Sequence, residues 1–150
     1  MLKKILALVK SARHCVLATT GPEGPHASLM AYAAPEDALA FWMATLTDTR
    51  KFRNLAADPR ASLLIDGREQ GVALTVAARL APFISAEAER DARRELAARH
   101  PGLAEALAGQ PTRMLRFLPL RFQFLASPEG PVEEILLEVE KNLDGSGRRV

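Results

Sequence analysis

From Gly71 to Ile84 the chain reads GVALTVAARLAPFI, and its apolar residues recur at every second position. Val72, Leu74, Val76, Ala78 and Leu80 fall on one side, Thr75 and Arg79 on the other. A period of two belongs to a β-strand with one buried face, whereas a helix would need apolar residues three and four apart. A strand this long cannot satisfy its backbone alone, so the rest of the chain has to supply partners and a core.

Other segments meet that need. HCVLATT is rich in β-formers and runs into the turn cluster GPEGP; HASLMAYA reads as the next strand and APED as its turn. LAFWMAT and ASLLID are apolar on both faces, which predicts burial on both, one face in the barrel interior and the other against a partner. TRMLRFLPLRFQFLA predicts a long strand in which Pro119 marks a bulge or an edge. Between them lie helical patterns. Leu2, Ile5, Leu6, Leu8 and Val9 predict a short amphipathic helix over residues 2–11. Phe52, Leu55 and Ala56 give a second helix its apolar face, and Asp58-Pro59 stops it. Ser85, followed by Glu87 and Glu89, predicts a capped helix to about His100, broken by Pro101-Gly102. A shorter helical piece follows to Gly109. Ile135, Leu136 and Val139 predict a helix over Val132–Leu143, with Glu133-Glu134 and Glu138-Glu140 on its solvated face. The elements predict a fold that is mainly β with α additions: an antiparallel barrel of six or so strands with flanking helices, one domain over residues 1–150 with 143–150 frayed.

A chain of 150 residues with 48% hydrophobic and 25% charged content is an ordinary globular composition. The net charge is only +2, which does not call for a polyanionic partner. Cys15 is the single cysteine, so no intrachain disulfide framework is available. The apolar stretch Ile5–Val9 is too short for a signal-peptide core, and Lys10 and Arg13 follow at once. The expectation is a soluble, cytoplasmic protein with no membrane span.

One short stretch goes against helix electrostatics. After the strand LAFWMAT come Thr45, Thr47, Asp48 and Thr49, and the helix that follows opens with Arg50 and Lys51, then Arg53. The N-terminus of a helix carries about half a positive charge, so cations there are unfavourable by roughly 0.3–1 kcal/mol each. Hydroxyls, free backbone N–H groups and cations converging on one spot suit a phosphate or similar oxyanion. The same residues also read as a solvated helix face with Asp48 as its N-cap, and the local pattern leaves both readings open. No Walker loop is present, because the glycines and the GK[ST] ending are missing.

The segments HCVLATTGPEGPHASLMAYA and FWMATLTDTRKFRNLAADPRASLLID, with ALTVAARL and ARHPGL in the same order, resemble the FMN-binding split-barrel proteins related to pyridoxamine 5′-phosphate oxidase, in their small single-domain form. The resemblance runs from about Leu6 to Leu125. It implies that the antiparallel β-barrel is a split barrel, and that FMN is the cofactor. Thr49, Arg50 and Lys51 match the element that holds the FMN phosphate; Ala44 and Thr45 match the strand-end pair along the ribityl chain; Ser28, Leu29, Met30, Ala31 and Tyr32 match the strand that lines the flavin ring. It also implies a homodimer with FMN between protomers and flavin-based hydride or electron transfer to a small-molecule substrate. The chain departs from the true oxidase: Ser28 stands where that enzyme has an arginine, the strand that begins at Gly71-Val72 carries no glutamine of its own where that enzyme has one near the start, and that enzyme's Trp/Arg-rich C-terminal segment has no counterpart here. The expectation is therefore an FMN-dependent oxidoreductase other than that oxidase. Relatives of the fold also use deazaflavin, haem or biliverdin, so a non-catalytic flavin- or haem-binding or sensing module is the alternative.

Tyr32 and Arg68 are the candidates for contact with substrate, Tyr32 by stacking near a flavin and Arg68 by facing an anion. Tyr32 reads equally as core, and Arg68 as a loop charge. His14, His26 and His100 lack ligand spacing, so no metal site is expected. No acid–base pair or nucleophile motif is visible, and no catalytic residue is named. Arg113, Arg116 and Arg121 stand among phenylalanines, as in strands that bind single-stranded nucleic acid. The 5% aromatic content and low net charge argue against that partner.

Overall fold

The structure, a computed structural model, describes residues 1–126 and 130–136. It contains a 7-stranded antiparallel sheet, with the strand alternating over 71–84 near its middle. Helix α1 (Leu2–Ser11) precedes β1 (His14–Gly21), β2 (Gly24–Ala31) and β3 (Phe41–Leu46). Then come α2 (Arg50–Ala57), β4 (Arg60–Gly67), a 3-10 turn at residues 68–70, and β5 (Val72–Ala81). Helices α3 (Ala86–Arg99) and α4 (Leu103–Ala106) lead to β6 (Thr112–Leu125) and β7 (Val132–Leu136).

The strands are ordered β2-β1-β4-β5-β6-β3, and β7 adds to β6 beyond the end of β3. The sheet curls until its two ends meet at a single bridge: Ala33 and Trp42 exchange N–H···O bonds of 3.0 and 2.8 Å. This is a split barrel, closed everywhere by a ladder except along the β2/β3 edge. β6 is shared along one edge, with residues 112–117 pairing β3 and residues 121–125 pairing β7. Pro119 sits in the gap between the two partners, where its missing N–H costs no ladder bond. The β5–β6 register shifts beside it, between Ala77 and Ala78. The bulge expected from the sequence is there.

Alternation decides the core. Leu74, Val76 and Ala78 of β5 point inward, joined by Leu63, Ile65, Phe41, Met43, Leu115, Phe117, Phe122 and Phe124, all almost fully buried. Helix α1 adds Ile5, Leu8 and Val9. Tyr32 is wholly buried and donates its hydroxyl to the Val9 carbonyl at 2.6 Å, tying α1 to the end of β2.

Two expectations are corrected. Residues 132–136 pair with β6 as a strand, not as the start of a helix; the remainder of that predicted helix and the 143–150 tail lie outside the described residues. Ile135 stacks beside the core as a strand residue, and the N-terminal part of the predicted apolar stripe fits either period. The second apolar face of LAFWMAT does not wait for another protomer: α3 covers it. Trp42 and Ala44 pack against Ala92, Leu96 and Met114 in a separate cluster. The matching expectation for ASLLID stands differently, since Leu64 on its outer face is 43% exposed.

Among the described residues no helix is long and apolar enough to cross a membrane.

Candidate functional site

β3 delivers its C-terminal end to the start of α2. Thr49, in extended backbone (φ −136°, ψ 154°), is the N-cap: its hydroxyl accepts from the Phe52 N–H at 3.3 Å and donates to the Leu46 carbonyl at 2.9 Å. Asp48 is not the cap. It is exposed and paired with Arg53 at 3.3 Å. Thr45, the last inward residue of β3, is buried and its Oγ1 lies 3.4 Å from that of Thr49. Two hydroxyls therefore stand side by side at a helix N-terminus, whose leading N–H groups have no intrahelical acceptor.

The first turn of α2 holds no acidic residue. Arg50 is half-buried and reaches to the β1–β2 turn, donating to the Glu23 and Gly24 carbonyls at 3.1 and 3.4 Å, with Glu23 Oε2 3.5 Å from its Nε. Lys51 is half-buried as well, and no carboxylate pairs with it among the described residues. Loss of solvation pulls its ammonium below the usual lysine range. A cation that is partly desolvated and unpaired, at the positive end of a helix, is chemically suited to receive an anionic group.

Below this turn α2 locks onto β1. Asn54 is buried and donates to Thr19 Oγ1 at 3.2 Å. Gly21 leaves room for it: a Cβ there would stand 2.0 Å from Asn54 Oδ1. The helix is thus fixed between the end of β3 and the turn of the β1–β2 hairpin, the two sides of the barrel's split.

The β2 run SLMA divides between two faces. Ser28 shares the inner face with its neighbour Leu17, and Met30 shares it with Cys15; Leu29 and Ala31 face outward. Met30 is packed in the core. Ser28 Oγ is buried with no hydrogen-bond partner, which is unusual for a hydroxyl and leaves a donor and an acceptor free. Ser28 lies four residues along β2 from Gly24, roughly 13 Å at the rise of a strand. An elongated ligand with an anionic end fits that spacing.

The structure does not bring the two substrate candidates to this place. Tyr32 is sealed in the core, under Arg99 at 5.8 Å from its ring centroid. Arg68 follows β4 at the end of the sheet remote from the β1–β2 turn, exposed and bonded to Asp66 at 2.7 Å. Sequence reasoning missed the turn carbonyls that anchor Arg50, the Asn54–Thr19 bond and the placement of Arg113 opposite Thr45. Only the last left a sequence signal, the alternation Arg113, Leu115, Phe117.

A family model described as pyridoxamine 5′-phosphate oxidase matches residues 1–126. The chain belongs to the pyridoxamine 5′-phosphate oxidase family. No curated protein matches it. Solved structures share its fold. One is a Clostridium acetobutylicum protein related to general stress protein 26, of the pyridoxinephosphate oxidase family: 18% identical, covering 91% of this chain and 94% of that one, TM-score 0.71. Another is an FAD-binding protein from Mesorhizobium loti: 16% identical, covering 83% and 91%, TM-score 0.70. A third is a heme-binding protein from Mycobacterium smegmatis: 20% identical, covering 90% of this chain but 57% of that one, TM-score 0.76. At these identities the likeness is one of fold.

Proposed function

We propose that this protein binds FMN and works as an FMN-dependent oxidoreductase. The observation that carries the proposal is Lys51, half-buried, short of solvation and without a carboxylate, beside the Thr45–Thr49 hydroxyl pair at the N-terminus of α2. In this reading Thr49, Arg50 and Lys51 hold the phosphate, Ala44 and Thr45 flank the ribityl chain, and the β2 run Ser28–Ala31 borders the ring. Ser28 Oγ, free and buried, suits a polar edge of the isoalloxazine. When bound, FMN supplies hydride or electron transfer; the chain positions it, excludes water from one face and neutralises its phosphate. The named relative that binds FAD supports a flavin, and the one that binds heme names the competitor.

The same reading includes a second copy of the chain. The outer face of β2, β1 and β4 carries an apolar row, Leu29–Val16–Leu64, in direct cross-strand register. Leu29 is 73% exposed. A large aliphatic side chain that open, continuous with two more, fits a covered surface better than a solvated one. We propose that two protomers meet on this face and that FMN lies along their boundary.

The test is the absorption spectrum of the protein after equilibration with FMN, with riboflavin and with haem, followed by anaerobic addition of NADH or NADPH. Tight FMN binding, weak riboflavin binding and bleaching of the flavin are the expected results. Binding of haem with no binding of FMN would overturn the cofactor. Bound FMN that no pyridine nucleotide or other reductant reduces, and that passes electrons to no acceptor, would leave a binding module and not an enzyme.

A further inference from the structure

β6 turns one of its arginines toward the site just described. Phe117 and Leu115 point into the barrel and are buried, opposite Phe41 and Met43 of β3. Two residues further toward the strand's start the same row reaches Arg113, directly opposite Thr45. Residues two apart on a strand share a face, so the inward row ends in a guanidinium at the mouth of the barrel, beside the Thr45–Thr49 hydroxyls. Arg113 is exposed, and among the described residues no carboxylate pairs with it.

The space in front of it is open. Arg113 lines a cavity of about 770 Å³ that extends from Phe52, the residue after Lys51, past Leu80 and Leu115 to the segment 81–86 that leads into α3. Glu89 of α3 also lines it, without an ion pair to Arg113. Successive helix residues are about 100° apart. Arg50 therefore faces the β1–β2 turn on one flank of α2, while Phe52, about 200° further round, faces the cavity on the other. Lys51 lies between them.

We infer that Arg113 is a third cation of the anion site, closing on the phosphate from the flank opposite Arg50 and setting the preference for a doubly charged phosphate ester over an uncharged ligand. The inference rests on the FMN reading above. Arg50 is partly neutralised by Glu23 and held by two carbonyls, so Lys51 and Arg113 carry most of the uncompensated charge that the phosphate meets.

The experiment titrates FMN and riboflavin, with inorganic phosphate as competitor, into the full chain as native protein, Arg113→Ala, Arg113→Lys and Arg121→Ala. Arg121 is an exposed β6 arginine that pairs with Ala77 and Leu136 on the outer face and serves as a control. Arg113→Ala weakens FMN by about tenfold, or roughly 1.4 kcal/mol, leaves riboflavin unchanged and weakens phosphate competition. Arg113→Lys restores part of the loss, and Arg121→Ala changes nothing. The inference is overturned if FMN binds Arg113→Ala as tightly as native protein, or if FMN and riboflavin weaken together, which would mean a packing role. If native protein fails to distinguish FMN from riboflavin, the FMN phosphate reading itself falls, and the role of Arg113 with it.

Discussion

Asn54 Nδ2 donates to Thr19 Oγ1 at 3.2 Å, and both groups are buried. This bond joins α2 to β1 immediately below the cation pair, so it fixes where Arg50 and Lys51 stand. Asn54→Ala leaves the Thr19 hydroxyl unsatisfied and is expected to cost about 1–3 kcal/mol. Gly21→Ala is expected to do similar damage from the other side, because its Cβ would overlap the Asn54 carboxamide. Chemical denaturation measures both. FMN affinity should fall with them even though neither residue touches the anion.

Lys51→Ala is expected to weaken FMN by roughly ten- to a hundredfold, the loss of one hydrogen bond to a charged group at about 1.5–3 kcal/mol. Riboflavin should be indifferent. Arg50→Ala should act less strongly, since its guanidinium already serves Glu23 and Gly24. Combining the two should give a sub-additive loss because they share one anion. Isothermal titration of the set is the measurement, and Lys51→Ala binding FMN as native protein does would move the anion elsewhere.

Glu23→Gln is expected to tighten FMN a few-fold. The carboxylate lies 3.5 Å from Arg50 Nε and competes with any other anion for it. The pair is exposed on the Glu23 side, so the gain should shrink as salt rises. An unchanged affinity at low ionic strength would show that Arg50 never turns toward the ligand.

Leu29→Asp and Leu64→Asp place charges on the apolar outer row. Sedimentation of the native protein at micromolar concentration should give a dimer, and the double substitution a folded monomer with weakened FMN binding. A native monomer that still holds flavin would remove the second copy from the proposal.

Cys15 is buried, and its burial pushes the thiol up to about 12. A raised thiol pKa stabilises the fold fully below the unfolded value, about 8.5, and the contribution is lost as pH climbs through about 12. Stability should therefore decline above about pH 9, and a thiol reagent at pH 8 should label Cys15 only as fast as the protein opens. Rapid labelling of the native protein would contradict the packing described for β1.

Much of this was legible in the sequence, for physical reasons that differ by element. The alternation through β5 and the breaks at Asp58-Pro59 and Pro101-Gly102 are local, and they placed strands and helix ends closely. The Thr-Arg-Lys turn was legible because it breaks an electrostatic rule, and the structure adds the Thr45–Thr49 pairing that the spacing alone did not specify. β7 was misread because Ile135 and Leu136 satisfy a short helical stripe as well as a strand; only the free edge of β6 decides between them. Tyr32 could not be assigned to the core from its neighbours, since what buries it is α1, more than twenty residues away. The outer cover of β3 was misassigned for the same reason: α3 arrives from far along the chain.

The barrel is fastened along the β2/β3 edge by a single pair, Ala33 and Trp42. The proposed ligand groups come from both sides of that edge, Ser28 and the β1–β2 turn on one and Thr45 on the other. A molecule held by both sides acts as a rivet across the weakest line of the fold. Its binding should then be felt far from the phosphate, as slower hydrogen exchange at the Ala33 and Trp42 amides and a later first step in forced or thermal opening, so that the proposed ligand would also set how often this protein comes apart.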